Sequence, residues 1–160
     1  VQYWTHRMYH EVPFFWRFHA VHHSAKTMDW LAGSRQHILE LLFTRVGVLG
    51  ILYILGFAKE VMDVYIIVVG FQAVFNHANV HLPWGPLKYV IVTPDFHHWH
   101  HSSDDVALDK NYAAHFAFLD YIFGSAIKGQ TGFPEKYGVK GDYMPDGFIK
   151  QLMFPFRSQK

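Results

Sequence analysis

The chain has 160 residues, enough for one domain with a real core, a formal net charge of +1 and no cysteine. The near-neutral charge leaves no basic footprint for nucleic acid, and the missing thiols exclude cysteine-ligated haem, iron–sulfur clusters and cysteine zinc sites. Two features stand out: thirteen histidines, and a composition that is 51% apolar and 18% aromatic, compatible with contact to lipid.

Gln2 to about His10 reads as the end of a helix and carries His6 and His10. Pro13 interrupts it and suits the first turn of a new helix, Phe14 to Ser24, with His19, His22 and His23 on it. Lys26 to Gly33 is a connector. Ser34 is a candidate cap for a helix running through His37, Glu40 and Leu41 to Leu55. From Val46 to Phe75 the chain is nearly all apolar, broken by Lys59, Glu60 and Asp63, and reads as a helical hairpin with a polar turn near residues 58–63.

The uncharged runs of that hairpin, Val46–Ala58 and Val64–Phe75, have 13 and 12 residues. At ~1.5 Å per residue they reach ~20 Å, against a hydrocarbon thickness of ~30 Å. A buried hairpin in a soluble bundle and a membrane-embedded or re-entrant hairpin are the two readings. The lack of a polar face over Val46–Leu55 and Tyr65–Gly70 favours the membrane.

His77 and His81 close the second arm, and Pro83, Gly85 and Pro86 make a turn. Thr93 or Asp95 caps a helix that enters Phe96–Ser102, which holds His97, His98, His100 and His101. Asn111 to Phe123 is expected to be a final helix ending at Gly124. Residues 129–160 are expected to form a loose tail anchored by Phe133, Tyr137, Tyr143 and Phe148. The fold class is therefore all-α: a membrane-associated helical bundle with an apolar hairpin and a histidine-rich cap.

His19, His22 and His23 stand at i, i+3 and i+4, and so do His97, His100 and His101. Those positions share one helix face. Three imidazoles on one face without a metal would leave polar nitrogens unsatisfied. With His6 and His10 these clusters supply eight ligands, and His77 and His81 bring the candidates to ten. One tetrahedral zinc needs four, so the number argues for two metals. Neutral imidazole suits iron, zinc, copper and nickel alike. His37, His98 and His115 are read as structural. The carboxylate di-iron pattern Glu-x-x-His is missing, and His10-Glu11 is not followed by the second histidine of the zinc protease signature. Asp95, Asp104, Asp105, Asp109, Asp120, Asn79 and Asn111 are candidates to orient the imidazoles.

The order His6-x3-His10, His19-x2-His22-His23, His97-x2-His100-His101 resembles the fatty acid hydroxylase/sterol desaturase superfamily of histidine-box membrane di-iron oxygenases. The flanks agree: Trp16-Arg17-Phe18 before the second box, Asn76-His77-Ala78-Asn79 and Leu82-Pro83-Trp84-Gly85-Pro86-Leu87 before the last, and Asp109-Lys110-Asn111-Tyr112 and Leu119-Asp120-Tyr121-Ile122-Phe123-Gly124-Ser125 after it. The resemblance implies one fatty acid hydroxylase-type domain over 1–160, in a chain expected to lack its upstream transmembrane helices. It implies two Fe ions, O2 as co-substrate, a cytochrome b5-like or ferredoxin-like electron donor, and an integral membrane location with the histidine site on the cytoplasmic side. The implied reaction is hydroxylation or desaturation of an aliphatic C–H in a sterol, fatty acyl, sphingolipid or carotenoid chain. The alternatives are a non-catalytic histidine-rich metal-binding membrane protein and a zinc-dependent hydrolase.

Overall fold

A computed structural model describes residues 1–157. Residues 158–160, the last three of the expected tail, lie outside the described part. Among the described residues every regular element is helical, in agreement with the all-α expectation. Helix α1, Gln2–Glu11, is followed at once by α2, Pro13–His23. Val12 between them is extended and Pro13 opens α2, so the two helices meet at a sharp corner with their histidines on the inside.

A short 3-10 turn, Trp30–Ser34, follows, capped by Asp29, whose carboxylate accepts from the Leu31 and Ala32 amides at 2.9 and 3.2 Å. It packs on α4. Gly33 makes a close approach there: a Cβ would lie 3.1 Å from both the Ala73 carbonyl oxygen and His77 Nδ1, and those neighbours would have to give by a few tenths of an ångström. Helices α3, Ile38–Ile54, and α4, Lys59–His77, form the hairpin. The cap of α3 is His37 and not Ser34; His37 Nδ1 accepts from the Leu39 amide at 3.1 Å. Ser34 is spent on the 3-10 turn, donating to the Leu31 carbonyl. The turn of the hairpin falls at residues 55–58, and Lys59, Glu60 and Asp63 lie in the first turns of α4.

The hairpin is not a buried one. Ile54, Ile67 and Phe71 are 81%, 71% and 73% exposed, and Phe43, Val46, Val64 and Val68 also face outward. That is a larger continuous apolar surface than a domain facing water ordinarily leaves uncovered. No helix among the described residues is long and apolar enough to cross a membrane.

Thr93 caps α5, Pro94–His100, accepting from the Phe96 amide at 3.3 Å, and Pro94 takes the first position. The expected helix over Asn111–Phe123 is reduced to α6, Phe118–Ile122. The Asp120 carboxylate accounts for the difference. It accepts from the Tyr112 and Ala113 amides at 2.8 and 2.7 Å and from Ser125 Oγ at 2.6 Å, holding residues 112–113 out of a helix. Asn111 enters that segment at φ 55°, tied through its side chain to the Phe96 carbonyl and the Ile127 amide. Tyr3, Val92, Tyr112, Ala113 and Ala117 form the small core above Asp120. Gly124 ends α6 at φ 72°, as expected of a helix-terminating glycine.

The described part of the tail, residues 129–157, includes helical elements. It contains α7, Phe148–Leu152, and a 3-10 turn, Phe154–Phe156. Phe133 stacks on His98, the Tyr137 hydroxyl bonds His98 Nδ1 at 2.8 Å, and Tyr143 accepts from Trp16 Nε1 at 2.8 Å. Phe148 is no anchor, being 78% exposed; Phe154 is buried in its place.

Candidate metal centre

Nine of the ten candidate histidines converge on two adjoining groups. The first holds His6, His10, His19, His23 and His100; the second holds His22, His77, His97 and His101. Within each group the nitrogens all lie within 4.8 Å of one another. The groups interlock, since His23 and His101 stack with ring centroids 4.3 Å apart. Each three-histidine box is thereby divided. His19 and His23 serve the first group and His22 the second; His97 and His101 serve the second and His100 the first. Each box therefore contributes to both groups.

The ring orientations follow from backbone acceptors. His6 Nδ1 lies 2.6 Å from the Tyr112 carbonyl, His100 Nδ1 2.8 Å from that of Lys110, His22 Nδ1 2.9 Å from that of Arg35, and His77 Nδ1 2.7 Å from that of Ala73. A carbonyl only accepts, so each Nδ1 carries the hydrogen, and each Nε2 of a neutral ring is a bare lone pair. Those bare atoms face each other: His6 and His100 at 3.1 Å, His22 and His77 at 3.3 Å. His19 Nε2 stands 3.0 Å from His6 Nε2 while its Nδ1 donates to Glu40 Oε1 at 2.7 Å. His97 Nε2 is 3.1 Å from both His77 Nε2 and His101 Nε2.

No hydrogen is available to join two such nitrogens, and lone pairs pressed together repel. Nitrogens about 2.1 Å from one shared cation would be about 3.0–3.4 Å apart, which is the spacing present. His10 Nε2 is in addition buried without any partner. The donor set thus fits two cations bound by neutral imidazoles.

The electrostatics agree. Burial pushes the His10, His19, His23, His97, His100 and His101 imidazoles well below their ordinary range, and His6 and His22 down to about 4. All are neutral near pH 7, the state in which a ring nitrogen can ligate.

His81 lies outside both groups. It is 65% exposed at the side chain and pairs with Asp95 at 2.8 Å. The turn at residues 82–86 carries it to the surface. His98 is buried but points elsewhere, to Tyr137 and to the His77 carbonyl, and His37 binds the Leu152 carbonyl at 2.9 Å. His115 contacts Gln2 and Gln72.

The acid that orients a grouped histidine is Glu40, behind His19, which the residue patterns do not single out. It is 3% exposed, on a helix otherwise almost free of charge, and that isolation is the one signal it carries. Among the expected acids only Asp109 approaches a grouped histidine, at 3.4 Å from His10 Nδ1. Asp95 serves His81, Asp104 the loop at Ser102, Asp105 Lys140, and Asp120 the backbone. Asn79 and Asn111 bind carbonyls of Met28 and Phe96.

A cavity of about 130 Å³ adjoins both groups. His6, His19, His22, His77 and His97 line one part. The remainder runs along α3 and α4 past Leu41, Thr44, Arg45, Val48, Leu49, Val69 and Ala73. Its apolar lining comes from the hairpin, and Phe14, Phe15 and Trp99 take no part in it.

Comparison with known proteins agrees with this geometry. The fatty acid hydroxylase family matches residues 1–125. The chain is 32% identical to ornithine lipid hydroxylase OlsE of Rhizobium tropici over 155 residues, 96% of this chain and 46% of that protein. It is 30% identical to human alkylglycerol monooxygenase, over 77% of this chain and 27% of that protein. It is 27% identical to the very-long-chain aldehyde decarbonylase GL1-4 of Oryza sativa subsp. indica, over 87% of this chain and 23% of that protein. The chain thus spans less than half the length of these relatives. No solved structure matches it. The order of the boxes, their convergence and the family match lead to one conclusion: this chain belongs to the fatty acid hydroxylase family.

Proposed function

We propose that the chain is the catalytic part of a membrane-bound, oxygen-dependent di-iron oxidoreductase that hydroxylates or desaturates an aliphatic C–H of a lipid. The observation that carries this reading is the facing of bare Nε2 atoms in two adjoining groups. Five and four neutral nitrogens, with no carboxylate among them, suit two irons and leave the charge of the metals unneutralised. The relatives named as an ornithine lipid hydroxylase and an alkylglycerol monooxygenase support a lipid substrate.

When bound, the two irons supply activation of dioxygen and removal of hydrogen from an unactivated carbon. The chain supplies everything else. Carbonyls of Tyr112, Lys110, Arg35 and Ala73 hold four rings by their Nδ1–H groups, fixing tautomer and direction. Glu40 does the same for His19 with a charge, which raises the basicity of that ring. Val48, Leu49, Val69 and Ala73 offer a lipid chain a dry path from the hairpin to the histidines. Glu40 is committed to His19, so it is a poor general base for a zinc hydrolase.

The exposed apolar faces of α3 and α4 sit in the bilayer, with the histidine site on its cytoplasmic side. A cytochrome b5-like or ferredoxin-like protein delivers electrons. Metal analysis of the full-length protein, with lipid analysis of cells that have or lack it, tests the reading. Two irons per chain and an oxidised lipid that disappears with the protein are expected. Fewer than two metals per chain in active protein would overturn it.

A further inference from the structure

We propose that Arg45 anchors the lipid by an anionic oxygen group, a carboxylate or a phosphate, inside the cavity; this deepens the lipid reading above. Arg45 lies within α3, a 17-residue helix whose one other charged residue is Glu40. Both line the cavity. Glu40 is engaged by His19, whereas Arg45 has neither an ion pair nor a side-chain hydrogen bond among the described residues.

The neighbouring polar side chains are already matched to one another. Tyr65 donates to Gln2 Oε1 at 3.2 Å, and His115 contacts both Gln2 and Gln72. These groups are neutral and turned toward each other, so the guanidinium is the unmet charge of the cavity. A half-buried guanidinium beside apolar walls is costly unless it is paired, and its planar fork fits a carboxylate or phosphate with two parallel bonds.

Its position also limits what can be oxidised. Arg45 is five residues beyond Glu40, about 7.5 Å along the helix axis. A lipid held there by its head has its head end, and not its chain terminus, on the side of the cavity shared with the histidines. Oxidation near the head end, not at the chain terminus, follows.

The test is equilibrium binding to the full-length protein of three fluorescent acyl probes that share one chain and end in a carboxylate, a phosphate or a methyl ester. At least one anionic probe should bind about tenfold more tightly than the ester. Arg45→Gln should erase that preference and leave ester binding unchanged, and Arg45→Lys should restore part of it. Tighter binding of the carboxylate probe assigns a carboxylate head, and tighter binding of the phosphate probe a phospholipid head. Equal affinity for all three probes overturns the proposal, and needs no variant to fold. So does a preference that survives Arg45→Gln, which would mean that the guanidinium only reaches for the headgroup layer. Binding requires no turnover, so a failure of lipid oxidation leaves this result readable.

Discussion

The two histidine groups share a box pattern but differ in what surrounds them. The first has five rings and a buried carboxylate: Glu40 holds His19, and Asp109 stands near His10. The second has four rings held by neutral carbonyls at His22 and His77, while the Nδ1 atoms of His97 and His101 are buried with no partner. The first group thus has a carboxylate and two carbonyls behind three of its five rings, and the second has carbonyls alone behind two of its four. A ligand whose far nitrogen is unheld turns more easily, so the second group is the softer of the two. The cavity touches both, through His6 and His19 on one side and His22, His77 and His97 on the other.

The sharpest way to break this comparison is to remove one ligand from each group. His100→Ala should strip the first group and His101→Ala the second. Each should leave about one metal per chain and cut activity by at least ~10³-fold, since both metals are needed at once. Metal content by mass spectrometry beside a lipid product assay checks this. Equal loss of both metals in both variants would show that the groups are one site.

Glu40→Gln keeps the shape but removes the charge behind His19. Losses of an outer partner typically run about 10–100-fold in metal affinity or activity. The loss should fall on the first group alone, as read by competition with a chelator.

Acidification comes next. His6, in the first group, and His22, in the second, have folded pKa values of about 4, against an ordinary 6.5. The unfolded chain therefore binds more protons between these values. The metal-free protein should be insensitive to pH above about 6.5 and lose stability as pH falls from there toward about 4. Thermal unfolding of metal-free protein across that window measures it; a flat profile would mean that these rings are not buried neutral.

The smallest effects belong to the histidines outside the groups. His98→Ala should loosen Phe133 and Tyr137 and reduce activity far less than His100→Ala. His81→Ala, at an exposed pair with Asp95, should change metal content not at all. A loss of metal in His81→Ala would place His81 in the centre after all.

Much of this was legible in the residue patterns because it depends on short-range rules. Pro13 starts a helix, Thr93 caps one and Gly124 ends one, each by the backbone geometry its own residue type favours. The apolar hairpin was legible for the same reason. The missed features are those in which a distant side chain competes with local preference. Asp120 pulls the amides of Tyr112 and Ala113 out of an otherwise plausible helix. Glu40 looks like one polar residue in an apolar run until α3 is laid beside α2.

What the sequence determined by itself is the supply of imidazoles and their grouping on helix faces. Spacing at i and i+4 puts His19 with His23, and His97 with His101, about 40° apart on their helices, so each pair stays together wherever its helix goes. What only the tertiary structure decided is the sharing. The corner at Pro13 and the packing of α5 on α4 set His100 beside His6 and His22 beside His77. Contacts across 94 and 55 residues depend on how whole helices pack, and no local pattern encodes that.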